Sequence, residues 1–447
     1  MIVLSIKFVA TGHGITYINI FVIGQPQAGT RPYPSGRIEI YLIVKQRMIK
    51  KLIIEKSERL QKLPPSPFLE AERIKKTLDK RGVEIIDLGD LSPDPSLREI
   101  VLSSLSPKTE EIFIPLNLQV WEELKKQIAD WLEQKYQVRL NPKNEIFPFT
   151  GKKKIIYDLF LSFLNPGDAV VIPDPSDPVY KGGSVFSGGE VVSLPLWERN
   201  DYLPNLNILP SSKRNVARFP KILFLNYPNN PTSAVTDQEF FSESVKWASK
   251  RNILLVNDNS YSEICYDGYM PISLLQAKGA KKIGAELFFF YPLTGIGFGF
   301  LAGNKQIISQ IETTDKVFGY QLSHMMLQVS SEILKNYSVI QEKNNLEFAK
   351  RKDILMEGFL SLGWKAKKPK AGPFIWVRIP NKYSSMGFAR MLLRKAGVLV
   401  CPGFGFGEHG EGYIRIALNH PVNKLKNAIE RIKEHSHIWQ RRYRPKE

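Results

Sequence analysis

The chain has 447 residues, is 43% hydrophobic and carries a formal net charge of +18. That length and composition suit a globular protein with room for two domains and a large core. Its two cysteines, Cys265 and Cys401, exclude a disulfide framework and lack metal-ligand spacing, so both are expected to be buried thiols in a reducing, cytoplasmic compartment, with no metal. The basic residues are spread over helical stretches such as 50–80 and 335–352, which describes a solvated basic surface. The one dense patch, Arg441 to Lys446, is short.

Residues 1–47 show no lasting period and are expected to be an upstream extension outside the fold, from a misplaced start, with a weak signal peptide as the alternative. No run approaches the roughly 20 apolar residues of a membrane span. Residues 48–115 read as an N-terminal arm and part of a small domain, 116–330 as a large α/β domain and 331–447 as a C-terminal small α+β domain. In chain order the pattern predicts a helix over 70–81, a strand over 83–90 and a helix over 120–136. From Glu145 strands and helices alternate: a helix after Gly151, strands at 169–173, 190–196 and 221–228, a helix over 237–249, and strands at 253–258, 286–290 and 297–302. Continuously apolar strands of this kind belong to a mostly parallel sheet covered on both faces. A long helical stretch follows residue 305, then a helix over 344–362, the strand GPFIWVRIP, a helix over 386–396 and the strand GYIRIAL.

In such a sheet, ligands sit beyond the carboxyl ends of the strands. The turn Gly151-Lys152-Lys153-Lys154 opens a helix there, and free N–H groups at a helix start favour a phosphate. NYPNNPT places Asn230 after one strand exit, and DNSYSEI places Asp258 and Tyr261 after another. Arg415 lies on a strand, where its fork suits a carboxylate.

Together with IDLGDLSPD, NPGDAVVIPDPSDPVYKGG and PGFGFGEHGEGYIRIAL, these residues resemble the class I/II aminotransferases, fold-type-I pyridoxal-phosphate enzymes, and among them the LL-diaminopimelate aminotransferase-like branch. The resemblance covers roughly Leu60 to His435. It implies a homodimer, a cofactor held by its pyridine nitrogen on Asp258 and its phenolic oxygen on Asn230 and Tyr261, backbone N–H groups around Gly151, Lys152 and Lys153 facing the phosphate, and Arg415 on the α-carboxylate of an amino acid or other small carboxylate.

The stretch Glu286 to Asn304 departs from that pattern. The Schiff-base lysine of the family falls on Pro292, its serines on Phe289 and Tyr291, and its phosphate arginine on Gly297. Asp177 stands for the ring-stacking aromatic, Lys152-Lys153-Lys154 for a Ser-x-Glu turn, Ser233 for a glycine, and Phe113 for a tyrosine of the neighbouring subunit. A transaminating lysine supplies about 10²–10⁴-fold through proton transfer alone. The expected protein therefore keeps the fold without transaminating, as a small-molecule-binding or silent subunit, and pyridoxal phosphate binding is in doubt. Two other readings stand beside it: an active transaminase using another lysine such as Lys153 or Lys154, and a basic nucleic-acid-binding or scaffold protein, although no nucleic-acid module is visible.

Overall fold

The computed structural model describes residues 3–10, 16–23, 55–63, 67–80, 82–92, 99, 103, 118–209, 219–318 and 322–437. It divides into two units, Met1–Ser57 and Glu58–Glu447. In the first, β1 (Val3–Ala10) and β2 (Thr16–Ile23) pair antiparallel, with Val3 opposite Ile23 and Ala10 opposite Thr16. The sequence pattern gives no such hairpin. Phe113 and the Arg441–Lys446 patch lie outside the described residues.

The second unit is organised on a seven-stranded sheet in the order β4-β10-β9-β8-β7-β5-β6. Its strands are β4 (Ile146–Thr150), β5 (Ala169–Asp174), β6 (Glu190–Pro195), β7 (Pro220–Asn226), β8 (Leu254–Asp258), β9 (Gly284–Phe289) and β10 (Phe298–Gly303). All neighbours are parallel except β10, which runs antiparallel to both β4 and β9. The alternation of side chains along a strand explains the unbroken apolar runs. Val170, Ile172, Ile222, Phe224 and Val256 pack into one core with Ile155, Ile156 and Leu159 of the helix Lys152–Phe163 and Ile307 and Ile311 of the helix Lys305–Phe318. The intervening Val171, Leu223, Leu225 and Leu255 pack into another with Phe241, Val245 and Ala248 of the helix Gln238–Arg251. Both faces are covered, so no period-2 polarity survives. Asp237 starts that last helix by accepting from Phe240 N at 2.9 Å, and Asn252 ends it in the left-handed region.

A four-stranded antiparallel sheet, β11-β12-β15-β14, follows, with β11 (Lys365–Ala366), β12 (Phe374–Arg378), β14 (Cys401–Pro402) and β15 (Tyr413–Ala417). Next to it β13 (Val398–Leu399) pairs parallel with β3 (Ile86–Asp87), all that remains of the strand expected over 83–90. The helical stretch after residue 305 resolves into Lys305–Phe318, His324–Lys335 and Tyr337–Ser361, so the helix expected from residue 344 begins seven residues earlier, at 337. Between β9 and β10 the chain makes one helical turn, Tyr291–Thr294, ended by Gly295 at φ 73°. Gly299 on β10 is required by close approach: a Cβ there would lie 2.5 Å from Phe288 O. Among the described residues no helix is long and apolar enough to cross a membrane.

Candidate functional site

Parallel pairing lines up strand exits: Asn226 is opposite Asp258, and Asp258 opposite Leu287. Asp258 ends β8 with no exposed surface. Its Oδ1 accepts from Ser260 N at 3.0 Å and from the Ser260 hydroxyl, and its Oδ2 accepts from Tyr180 OH at 2.6 Å and Lys152 Nζ at 3.3 Å. A buried carboxylate needs such donors, since an unpaired one is too costly to keep charged.

Lys152 begins the helix after β4, following Gly151 at φ 82°, a conformation that favours glycine. Its side chain turns inward, and Nζ donates to Asp258 Oδ2, Asp177 Oδ2 and the Tyr261 hydroxyl oxygen, each at 3.3 Å. Burial works against the ammonium, but the Asp258 carboxylate, with Tyr261 and Asp177, outweighs it and holds the pKa well above the ordinary lysine value. Asp177 caps the helix Pro178–Phe186 by accepting from Val179 N at 3.1 Å. Burial would raise its pKa; the Lys152 ammonium, the Val179 N–H and the Arg415 charge bring it below the ordinary carboxylate value. Burial, then the Asp258 and Asp177 charges, push Tyr180 far up, so its hydroxyl stays a donor.

The turn after β7 is fixed by Asn226, whose Nδ2 donates to Asp258 O at 2.7 Å and whose Oδ1 accepts from Asn230 N at 2.8 Å. Asn230 then joins two charged groups: its Nδ2 lies 3.3 Å from both the Tyr261 hydroxyl and Asp177 Oδ2, and its Oδ1 accepts from Arg415 Nη1 at 2.9 Å. Arg415, on β15 opposite Trp376 and Cys401, also donates from Nη2 to Gly89 O at 3.0 Å. Its guanidinium lies 4.8 Å from the Phe406 ring centre and 5.4 Å from that of Phe374. Arg415 Nε is buried without a hydrogen-bond partner. Asp258, Tyr261, Asn230, Lys152 and Arg415 therefore form one connected group.

The exit of β9 is different. Phe289 stacks on Phe149 (ring centres 6.2 Å) and on Tyr291 (6.0 Å), and Phe290 stacks on Phe298 (5.3 Å) and meets Trp131 edge-on (5.5 Å). Pro292 is half-buried in the helical turn that follows. Gly297 presents no side chain; its carbonyl accepts from Gly151 N at 3.0 Å. The Thr294 hydroxyl donates to Phe290 O at 2.9 Å and accepts from Ile296 N at 3.1 Å.

These residues do not fit the cofactor that the family resemblance implies. A pyridine ring reaching both Asp258 and Tyr261 meets the Lys152 ammonium, which stands 3.3 Å from each. A phosphate at the start of the helix Lys152–Phe163 finds first-turn N–H groups but, along 289–297, neither the serines nor the arginine of the family pattern. Of the other two lysines in that turn, Lys153 is exposed, and Lys154 pairs with Asp158 and with Asp315 at 2.6 Å, tying its helix to Lys305–Phe318. Neither reaches Asp258 or Tyr261 among the contacts of the described residues.

Three features are not visible in the sequence pattern. Tyr180 stood in view within Pro178-Val179-Tyr180, but nothing local marks it as a partner of Asp258, 78 residues away. Lys152 was expected to contribute its backbone, whereas its side chain fills the middle of the group. Asp177, expected only at the place of a ring-stacking aromatic, pairs with Lys152 across 25 residues.

Residues 96–432 match the family model "Aminotransferase class I and II". The LL-diaminopimelate aminotransferase of Moorella thermoacetica is 36% identical over 85% of this chain and 98% of its own length, and that of Gloeobacter violaceus 37% identical over 84% and 96%. Among solved structures, substrate-bound BacF from Bacillus subtilis superposes with a TM-score of 0.77 at 32% identity, covering 86% of this chain and 98% of that one. A probable N-succinyldiaminopimelate aminotransferase from Thermus thermophilus gives 0.73 at 29%, covering 83% and 100%. The chain belongs to the class I and II aminotransferases, with the mostly parallel α/β fold of the pyridoxal-phosphate-dependent enzymes, and to their LL-diaminopimelate aminotransferase-like branch.

Proposed function

We propose that this chain is an aminotransferase-family protein that does not transaminate and instead binds a small carboxylate, such as an amino acid, as a ligand-binding or silent subunit of a homodimer in the cytoplasm. The observation that carries the reading is the exit of β9, where Pro292, preceded by Phe289 and Tyr291 at the family's serine positions, stands at the position the family pattern gives to the Schiff-base lysine. Proline has no amine, and the aromatic packing on either side leaves no lysine in that turn. Arg415 supports the ligand-binding half. Its Nε is a buried donor without a partner, a state that costs about 1–3 kcal/mol and that a ligand carboxylate would relieve.

A second reading has one observation in its favour. Lys152 brings an amine to within 3.3 Å of Tyr261, so an active enzyme would use Lys152, and not Lys153 or Lys154. Against it stands the amine's protonation, held by two carboxylates, since a nucleophilic lysine must lose its proton.

The test is to saturate purified protein with pyridoxal phosphate, remove the excess, record the visible spectrum and assay amino-group transfer to 2-oxoglutarate. A colourless, inactive protein is expected. Stoichiometric colour with turnover would overturn the proposal.

A further inference from the structure

The Lys152 ammonium lies in contact with three groups at once, Asp258, Asp177 and Tyr261, each at 3.3 Å, with the Tyr261 ring centre 5.0 Å away. Asp258 and Tyr261 are the two groups between which a planar heterocycle would bind, and both are at least 97% buried. The lysine reaches them from the start of a helix whose next two lysines point elsewhere, and the second carboxylate, Asp177, caps a neighbouring helix and so is fixed in place. The ammonium offsets the fully buried Asp258 carboxylate and the half-buried Asp177 carboxylate, and a buried charge left without its partner is strongly disfavoured.

We infer that Lys152 is the chain's own occupant of the ring subsite: its ammonium stands between Asp258, Asp177 and Tyr261 where a pyridine ring would have to lie, so the subsite is built for a primary alkylammonium group and excludes an aromatic one. This rests on the proposal that the chain does not transaminate, and it makes a separate claim. Even a lysine restored at position 292 would not admit the cofactor while Lys152 stays in place. Asp177 acts as a positioning residue that holds Lys152 over Asp258.

The experiment uses the full chain and two variants, Lys152→Ser and Asp177→Asn. Pyridoxamine 5′-phosphate is the probe, since it carries the ring and needs no lysine to bind; affinity is read by fluorescence titration. Lys152→Ser empties the subsite and is expected to bind the probe at least about tenfold more tightly than the unmodified chain, the equivalent of 1.4 kcal/mol. Asp177→Asn keeps an acceptor for Val179 N, so it folds, and by loosening Lys152 it is expected to gain a smaller, several-fold increase. Ethylammonium chloride should raise the melting temperature of Lys152→Ser, compete with the probe there, and do neither in the unmodified chain. If Lys152→Ser does not fold, Asp177→Asn decides alone. Folded variants that bind the probe no better than the unmodified chain, or an unmodified chain that already binds it as tightly, overturn the inference. The proposal on transamination would survive either result; it fails on colour and turnover of the unmodified protein.

Discussion

The two sides of the candidate site are built in opposite ways. Around Asp258 the polar groups remain and are satisfied from within, by Lys152, Tyr180, Ser260 and Asn230. At the exit of β9, Phe289, Phe290 and Tyr291 pack ring on ring in an aromatic core, and Pro292 stands in the helical turn that follows. The difference follows from burial. On the first side Asn226 ties the turn after β7 to β8 through the Asp258 carbonyl and the Asn230 N–H, and the Asp258 carboxylate is itself fully buried and bonded, so these polar groups hold the fold as well as the site, whereas the exit of β9 gains its stability from apolar packing. A polar residue in such a site therefore says less about its chemistry than the side chains that partner it.

The aromatic side is the stronger test of this contrast. Phe290 is fully buried and touches the rings of Trp131, Phe298, Phe300 and Tyr337. Phe290→Ala should lower unfolding free energy by about 3–5 kcal/mol, measured by denaturant titration. A loss below about 1 kcal/mol would mean that the segment is not core.

Further back on β9, Glu286 supplies a pH-dependent contrast. It is fully buried and accepts from Asn257 and Asn259 Nδ2 at 2.8 and 3.0 Å, from Leu274 N at 3.1 Å and from the Ser273 hydroxyl. Burial outweighs those donors and lifts its pKa from 4.5 to about 7. A carboxyl raised on folding binds its proton more tightly in the folded state, so stability falls as pH rises from 4.5 to about 7 and is level beyond. Glu286→Gln removes the titration while keeping most of the hydrogen bonds. Its stability relative to the unmodified chain should therefore improve by about 3 kcal/mol between pH 4.5 and about 8. A difference that does not change with pH would show that Glu286 is ionised throughout.

Much of this was legible in the sequence. The alternation of apolar strands with helices gives the sheet, since covered strands leave unbroken apolar runs. The motifs around Asn230, Asp258, Tyr261 and Arg415 place those side chains together, because each follows a strand exit or sits on a strand. What was not legible depends on the direction of single side chains. Nothing in Gly151-Lys152-Lys153-Lys154 tells which lysine turns inward; that follows from Asp177 and Asp258, which lie 25 and 106 residues away. The helical turn at Tyr291–Thr294 was hidden because a short apolar run with glycines fits a strand pair equally well.

The most direct test of the central claim is borohydride reduction of the unmodified protein in the presence of pyridoxal phosphate, followed by peptide mass spectrometry. No lysine is expected to be modified in stoichiometric yield, at Lys152 or elsewhere. One lysine carrying the reduced cofactor in every chain would contradict it, and a modification at Lys152 would show that the amine between Asp258 and Asp177 serves chemistry after all.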